Sequence, residues 1–307
     1  MKTPQRILVV ISGKRKQHPA LERALKFAEF NDVHLHLFNS IYEPVMELTD
    51  VLSTDHRKEM KRQYMADRSL YMEDVAASLD KKGIKCSVNI AWHRELHEAI
   101  EKAVDELQPD LVIKRITDET GSLNPFTMPT DRHLLRYCHA PLLLVKQSRW
   151  TNSPILAAVD PMTADPKHIA LNHQVLEYSK MLAHVTETQT HAVNTYEAPI
   201  MSPSVDLPGI DYEALRQETG KMHTEKMQKL LTDNDFSTEH MHVVQGRPDV
   251  AIKQLADELE VQVVVLGTVG RTGLAATFLG NTAENILASL NCEILTIKPE
   301  VDGEHNG

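Results

Sequence analysis

The chain has little cysteine, little glycine and no long apolar run, and each shortage narrows the class of protein. Its 307 residues include 12 glycines and three cysteines, and Cys86, Cys138 and Cys292 form no CxxC pair. A disulfide framework is therefore not expected. No stretch approaches the roughly 18 apolar residues that a membrane span needs, and the N-terminal apolar run is too short for a signal peptide. These features predict a reduced, cytoplasmic protein without a membrane partner.

Basic residues are also in the minority. The chain has 33 Lys and Arg against 43 Asp and Glu, which gives a net charge of −10 at pH 7 with neutral histidines. A surface of this sign repels a phosphate backbone, so a nucleic-acid partner is not expected. A length of 307 residues suggests two domains of roughly 150 residues each.

The chain repeats itself at an offset of 152 residues, and the register holds without a gap from residue 94 to residue 146. Three pairs of segments show it: DEL at 105–107 and 257–259, apolar runs at 111–113 and 263–265, and the lysines that follow an apolar strand, Lys146 and Lys298. Identical triplets in one register indicate a duplication rather than two unrelated domains. We therefore predict domains at 1–150 and 151–307, joined by the polar segment 147–154.

Strands and helices alternate in each copy. The first copy predicts strands at 6–11, 33–38, 86–91, 111–114 and 142–145, with helices at 20–30, 54–82, 97–107 and 130–137. The second predicts strands at 155–159, 187–193, 238–244, 263–266 and 294–297, with helices at 167–184, 212–233, 248–259 and 282–290. This order is typical of right-handed βαβ crossovers. It predicts an α/β fold with two tandem, mainly parallel sheets flanked by helices.

Three glycines follow a predicted buried strand in the second copy. The apolar run 263–266 stops at Gly267, and Gly270 and Gly280 precede a predicted helix. The order strand, glycine loop, helix aims backbone N–H groups and a helix N-terminus at a phosphate. A side chain would block that approach, and a positive φ in the turn would favour glycine. With so few glycines, G-x2-G-x9-G arises by chance only about 0.02 times in such a chain.

The duplicated unit and its glycine loop resemble the universal stress protein family, in its tandem-domain form, over nearly the whole chain. Nucleotide-binding members carry G-x2-G-x9-G followed by Ser or Thr. Gly267, Gly270 and Gly280 match this motif, whereas Asn281 stands where the hydroxyl residue is usual and Thr282 comes next. Asparagine both donates and accepts hydrogen bonds, so contact with a phosphate stays open.

The resemblance implies a five-stranded sheet in each copy with the strand order 3-2-1-4-5. It implies that the last strands of the two copies pair within one chain, and a homodimer stays open. The implied ligand is ATP or a related adenine nucleotide in the second copy, with Mg²⁺ available to screen the phosphates.

The resemblance also assigns ligand contacts in the second copy. Asp160 would lie near the adenine or ribose, Ala192 and Val193 would line the base, and Gly246 would lie close to the ligand. Arg271 could reach a phosphate. Each residue also has a structural interpretation: Asp160 as the start of a turn, the Ala–Val pair as core, Gly246 as a turn glycine and Arg271 as an exposed loop residue.

The two copies differ at these positions. The glycines carried back by 152 residues, and the residue after the last of them, fall on Arg115, Asp118, Met128 and Pro129. Proline removes an N–H donor, and an aspartate repels a phosphate. Ser12 stands where the second copy has Asp160. The first copy is therefore predicted to lack this nucleotide mode and to serve as a structural and pairing half.

Several other features leave two interpretations open. His34 with His36, and His240 with His242, alternate onto strand faces, but no third ligand completes a metal site, so hydrogen-bonded histidines are expected. Trp92 ends a strand where it could stack on a ligand or pack under a loop. The segment 196–211 could cover a ligand crevice at the carboxyl ends of the strands as a lid, or it could be a surface loop without that role.

No catalytic residue can be identified from the sequence, because it shows no nucleophilic triad, paired carboxylates or CxxC centre. The predicted function is nucleotide binding by the second copy in stress resistance or signalling. One alternative is a slow ATPase, although nothing positions a base that would activate water. Another is a scaffold that binds a different small or acyl ligand.

Overall fold

The computed structural model describes residues 3–15, 17–47, 53–116, 130–146, 150–197, 211–268 and 289–299. The chain divides into two compact units, an N-terminal one and a C-terminal one that begins at Trp150. None of the helices within these ranges combines the length and the apolar character that a membrane crossing requires.

The N-terminal unit alternates strands and helices. Its elements in chain order are β1 (Arg6–Val10), α1 (Pro19–Phe30), β2 (His34–Ile41), α2 (Thr54–Asp80), β3 (Cys86–Trp92), α3 (Leu96–Leu107), β4 (Leu111–Arg115), α4 (Thr130–Tyr137) and β5 (Leu142–Val145), with a short 3-10 helix at Pro44–Glu47. The strands lie in the order β3-β2-β1-β4-β5, and their pairs are parallel. This confirms the predicted order 3-2-1-4-5.

The C-terminal unit repeats this order. Its elements are β6 (Ile155–Ala158), α5 (Pro166–Thr186), β7 (Thr190–Tyr196), α6 (Tyr212–Asp233), β8 (Met241–Gln245), α7 (Pro248–Glu258), β9 (Val263–Gly267) and β10 (Glu293–Ile297). The strand order β8-β7-β6-β9-β10 is again 3-2-1-4-5 with parallel pairs. Most of the predicted helix at 282–290 lies outside the described residues.

The central strands are continuous apolar runs because a parallel sheet is covered on both faces. In β9, the side chains of Val263, Val264 and Val265 are fully buried. Helix α5 packs against β6 and β9, and α6 packs against β8.

The second strand of each unit extends farther than predicted. The sequence predicts ends at residues 38 and 193, but β2 continues to Ile41 and β7 to Tyr196. The extensions are polar and therefore look like loops, yet they keep the ladder: Asn39 pairs with Ile90, and Tyr196 with Gln245. Register with the neighbouring strand outweighs the local polarity.

Each unit has an equivalent set of hydrogen bonds just after its first strand. Ile11 N–H donates to the carbonyl of Phe38 at 2.8 Å, and Val159 N–H donates to that of Val193 at 3.0 Å. An asparagine then donates from Nδ2 to the carbonyl of the same residue, Asn39 to Ile11 and Asn194 to Val159. The duplication therefore extends to individual contacts.

Candidate functional site

The strand order of the C-terminal unit reverses between β6 and β9. From β6 the chain continues through β7 and β8 on one side and returns to β9 and β10 on the other. Ala158 in β6 is paired with Leu266 in β9, so the two strands end side by side. Asp160 follows β6 and Gly267 ends β9. These two predicted site residues therefore flank the switch point, where open α/β sheets bind ligands.

The main chain of Asp160 is fixed by the side chain of Asn172 on α5. Asn172 Oδ1 accepts the N–H of Asp160 at 3.0 Å, and its Nδ2 donates to the Asp160 carbonyl at 2.7 Å. The Asp160 carboxylate is exposed, and its Oδ1 accepts the N–H of Met162 at 3.1 Å. This is the turn that the structural interpretation expects, and the other carboxylate oxygen has no bond to the described residues.

Gly267 is explained by packing in the described structure. A Cβ at this position would lie 2.4 Å from Cδ2 of Leu171 and 2.7 Å from its Cγ. Its φ is outside the positive range that favours glycine. The sequence argument gave phosphate access and a positive φ as the reasons for a glycine. The expected positive φ is wrong for Gly267, since its φ is not positive. The close approach of α5 to the end of β9 is what excludes a side chain there.

Gly246 is required for its backbone conformation rather than for space. Its φ is +150°, a conformation that side-chain-bearing residues rarely adopt, while a Cβ would find only an ordinary contact 3.5 Å from Ala251. Its N–H donates to the Tyr196 carbonyl at 2.8 Å. The backbone conformation therefore requires glycine directly after β8.

Ala192 and Val193 lie inside β7 rather than at its end. Their side chains are 0% and 1% exposed, because three further residues follow before the strand stops. The residues that reach the carboxyl end of β7 are therefore Asn194 to Tyr196. The structure gives Ala192 and Val193 the core position of the structural interpretation.

A histidine on α6 contacts two residues at the carboxyl end of β7. Asn194 uses Nδ2 to donate to Val159, so its Oδ1 accepts from Nδ1 of His223 at 2.7 Å. The His223 ring stacks on Tyr196 with 4.9 Å between centroids. Burial lowers the pKa of His223, and the negative charge of Asp160 opposes this shift. His223 therefore supplies a neutral imidazole close enough to Asp160 to feel its charge.

The remaining predicted contacts fall outside the described residues. They are Gly270, Arg271, Gly280, Asn281 and Thr282. The proposed lid lies mostly there too, since the structure describes only the ends of 196–211. At its far end, Asp211 caps α6 by accepting the N–H groups of Glu213 and Ala214 at 3.1 and 2.9 Å.

The N-terminal unit has a half-open hollow at its own switch point, between the ends of β1 and β4. Its polar lining comes from Ser12, Arg15, Gln17, His18 and Arg115. Arg115 ends β4 as Gly267 ends β9. Where the C-terminal unit presents an acidic residue and a glycine, the N-terminal unit therefore presents a serine and arginines.

The strand histidines contact one another and nearby polar groups. His34 Nε2 and His36 Nδ1 lie 3.1 and 2.9 Å from the hydroxyl of Ser87. His191 Nδ1 lies 3.0 Å from Nε2 of His242. Among the described residues, no group of three His, Cys, Asp or Glu side chains is arranged to hold a metal ion.

Comparison with known proteins identifies relatives over both units. A family model described as the universal stress protein family matches residues 3–146 and again residues 152–298. The chain is 33% identical over 298 residues to universal stress protein E of Salmonella typhi, which covers 96% of this chain and 95% of that protein. The Escherichia coli K12 protein of the same name is also 33% identical, with 96% and 94% covered.

A solved structure shares the tandem arrangement. The crystal structure of a functionally unknown protein from Pseudomonas aeruginosa PAO1 superposes with a TM-score of 0.75 at 28% identity. The match covers 96% of this chain and 93% of that chain. The similarity therefore spans both units rather than one.

Proposed function

The chain belongs to the universal stress protein family, and we propose that its C-terminal unit binds ATP or a related adenine nucleotide in a stress-response role. The family model matches both halves of the chain, which confirms the resemblance to the tandem-domain form of the family. The proposed ligand goes beyond family membership and depends on the crevice between β6 and β9.

One observation carries the proposal: Asp160 and Gly267 flank the switch point of the C-terminal sheet. The exposed carboxylate of Asp160 can accept a hydrogen bond from a ribose hydroxyl or the adenine amine. Its negative charge would repel phosphates, so these would lie on the Gly267 side of the crevice. There the sequence continues with Gly270 and Gly280, and Mg²⁺ would screen the phosphate charge.

Two contacts support a preformed site. Asn172 holds both main-chain groups of Asp160 through its own side chain, and Asn194 with His223 fixes the end of β7 beside it. A ligand that meets fixed groups loses less conformational entropy on binding than one that must order them. We propose that these residues form the base and ribose end of the site.

Isothermal titration of the full chain with ATP, ADP and AMP, with and without Mg²⁺, tests the proposal. Asp160→Asn keeps the side-chain oxygen that accepts the Met162 N–H but removes the charge. We expect its affinity to fall by about 10- to 100-fold, since a hydrogen bond to a charged group contributes about 1.5–3 kcal/mol. Asp233→Asn at the end of α6 is the control, because it changes the net charge equally.

The outcomes are distinct. Wild-type affinity in Asp233→Asn and weakened affinity in Asp160→Asn support the site. Equal affinity in Asp160→Asn and the wild type would remove Asp160 from it. Absence of binding by every adenine nucleotide would overturn the proposal.

A further inference from the structure

The N-terminal unit buries a cation, Arg68, that leaves hydrogen-bond donors unused among the described residues. Arg68 on α2 is 8% exposed, and its Nε and Nη1 atoms are buried without a hydrogen-bond partner among the described residues. Buried arginines are almost always paired, since desolvating an unpaired guanidinium is unfavourable. The side chain therefore has unused donors in a place where a counter-ion would stabilise it.

Arg68 lies against an aromatic cluster, and a lysine contacts the far ring of that cluster. Its guanidinium carbon lies 5.9 Å from the centroid of the Tyr64 ring, one turn earlier on α2. Tyr64 meets Trp92 edge-on with 6.4 Å between centroids. Lys61 Nζ lies 4.8 Å from the centroid of Trp92. Ring faces attract the cation but accept no conventional hydrogen bond, so they leave the N–H groups of Arg68 unused.

The next turn of α2 contacts the hollow of this unit. Tyr71, three residues after Arg68, donates its hydroxyl to the carbonyl of Arg15 at 3.0 Å and lies 2.5 Å from Nε2 of His18. Arg15 and His18 line the hollow together with Arg115. The turn that carries Arg68 is therefore attached to a loop that presents further positive charge, on a chain whose net charge is −10.

The long helix of the C-terminal unit carries different residues at the corresponding positions. Both long helices close on the same bond, from Ile84 N–H to the Leu79 carbonyl and from Phe236 N–H to the Leu231 carbonyl. In that register His223 corresponds to Tyr71 and Gly220 corresponds to Arg68.

This correspondence exposes a second unpaired group. His223 pairs with Oδ1 of Asn194, whereas the hydroxyl of Tyr71 turns to Arg15. The counterpart of Asn194, Asn39, is 2% exposed, and its Oδ1 has no partner among the described residues. Within the described residues, the N-terminal unit therefore leaves both a donor and an acceptor without hydrogen-bond partners.

We propose that the N-terminal unit binds a small molecule carrying an oxyanion, a phosphate or a carboxylate group, with Arg68 as its counter-ion. Arg15 and Arg115 add positive potential at the hollow that the next turn of α2 contacts. The site is separate from the nucleotide crevice of the C-terminal unit. The N-terminal unit is then a ligand-binding half of different chemistry, beyond the structural role that its lost glycines suggest.

Thermal melting of the full chain in sodium phosphate, sodium citrate and sodium chloride of equal ionic strength tests this proposal. The variants are Arg68→Met, which keeps the unbranched stem, and the control Arg62→Met on the exposed face of α2. In chloride, Arg68→Met should melt above the wild type, because an unpaired buried charge is removed. In phosphate or citrate, the wild type and Arg62→Met should gain a saturable rise of about 3 °C that Arg68→Met lacks.

The comparison separates a site from a general salt effect. Phosphate and citrate stabilise many proteins by exclusion from the surface, and that effect is the same in all three chains. An equal rise in Arg68→Met would overturn the proposal, and so would a lower melting temperature of Arg68→Met in chloride. A saturable rise with only one probe identifies the oxyanion as phosphate or carboxylate.

A direct measurement keeps the test independent of variant stability. The Nε–H resonance of Arg68 in a ¹⁵N spectrum can be assigned by its absence in Arg68→Met. It should move saturably when phosphate or citrate is added to the wild type, and a resonance that stays fixed with both would overturn the proposal. The same shift should persist in Asp160→Asn, so failure of nucleotide binding and failure of this site are distinguishable.

Discussion

Gly267 and Leu171 are in such close contact that a methyl group on the glycine would overlap the leucine. The built Cβ lies 2.4 Å from Cδ2 and 2.7 Å from Cγ, and Leu171 is 5% exposed. Helix α5 can therefore pack on β9 only because residue 267 lacks a side chain. A substitution at Gly267 changes this packing, so a loss of ligand binding there does not by itself identify a phosphate contact.

We expect Gly267→Ala to lower the free energy of unfolding of the C-terminal unit by about 1–3 kcal/mol through overpacking. Leu171→Ala should cost about 2–5 kcal/mol as a cavity. The double variant should lose less than the sum of the two, because the alanine methyl enters the space that the leucine leaves. Urea unfolding of the four chains measures this coupling.

The two tryptophans make this measurement specific to one unit. Trp150 donates its indole N–H to Glu293 at 2.6 Å, so its fluorescence reports the C-terminal unit, and Trp92→Phe removes the other signal. Additive losses would show that Leu171 moves away freely. Nucleotide affinity that returns in the double variant would attribute the effect of Gly267→Ala to packing.

The sequence predicted the fold well where periodicity and register are strong. The offset of 152 residues and the alternation of strands and helices predicted two α/β units, and the family resemblance implied the strand order that both units have. The predicted 54–82 helix with its glycine cap matches α2, with Gly83 at a φ of +75°. These features depend on apolar spacing and on residues next to each other in the chain, so the sequence alone is enough to predict them.

The sequence did not identify the side chains whose roles depend on long-range contacts. Asn172 and His223 lie on helices, where no spacing distinguishes a side chain that binds a strand end from a solvated one. The asparagine pair was hidden as well, because Asn39 and Asn194 are 155 rather than 152 residues apart. The polar ends of β2 and β7 resemble loops until their ladder partners are known.

Asn172 provides a second prediction, because its amide makes two hydrogen bonds to the main chain of Asp160. Asn172→Leu removes both and should lower the free energy of unfolding by about 2–3 kcal/mol, since the side chain is buried. It should also weaken nucleotide binding by releasing Asp160. Urea unfolding followed through Trp150, together with titration by ATP, measures both effects.

The control for this variant is Asn291→Leu, at an exposed position of the same unit, where a change within about 0.5 kcal/mol is expected. Asn172→Asp separates the two bonds, because it keeps an acceptor for the Asp160 N–H but directs a carboxylate at the Asp160 carbonyl. Wild-type stability and affinity in Asn172→Leu would contradict the proposed positioning.

The histidines of β7 and its neighbour predict an acid-sensitive C-terminal unit. His191 is 7% exposed and stacks on His240 with 4.4 Å between ring centroids. Burial, and then the charges of His240 and His242, lower the pKa of His191 from 6.5 to about 4. The unfolded chain therefore binds more protons than the folded one between these values. Stability should be complete above pH 6.5 and decrease toward pH 4.

His191→Gln tests this pH dependence, because glutamine does not titrate. The slope of unfolding free energy against pH should become shallower between pH 6.5 and 4, by less than the limit of about 1.4 kcal/mol per pH unit that one proton sets. Parallel profiles for the wild type and His191→Gln would show that other groups carry the acid sensitivity.

Lys114 near the end of β4 and Asp131 on α4 form a buried ion pair. We expect the loss of either partner to lower the free energy of unfolding by a different amount. Lys114 is fully buried, and its Nζ lies 2.6 Å from Oδ1 of Asp131 and 3.0 Å from the carbonyl of Arg115. Asp131→Asn leaves the ammonium without that carboxylate and should cost about 3 kcal/mol. Lys114→Met should cost less, because the 15% exposed carboxylate of Asp131 can reach water. Adding Asp131→Asn to Lys114→Met should cost little more, because no buried ammonium is then left without its carboxylate. Urea unfolding followed through Trp92 in a Trp150→Phe chain measures the stability loss of each variant. Equal losses for the two single variants would contradict the prediction.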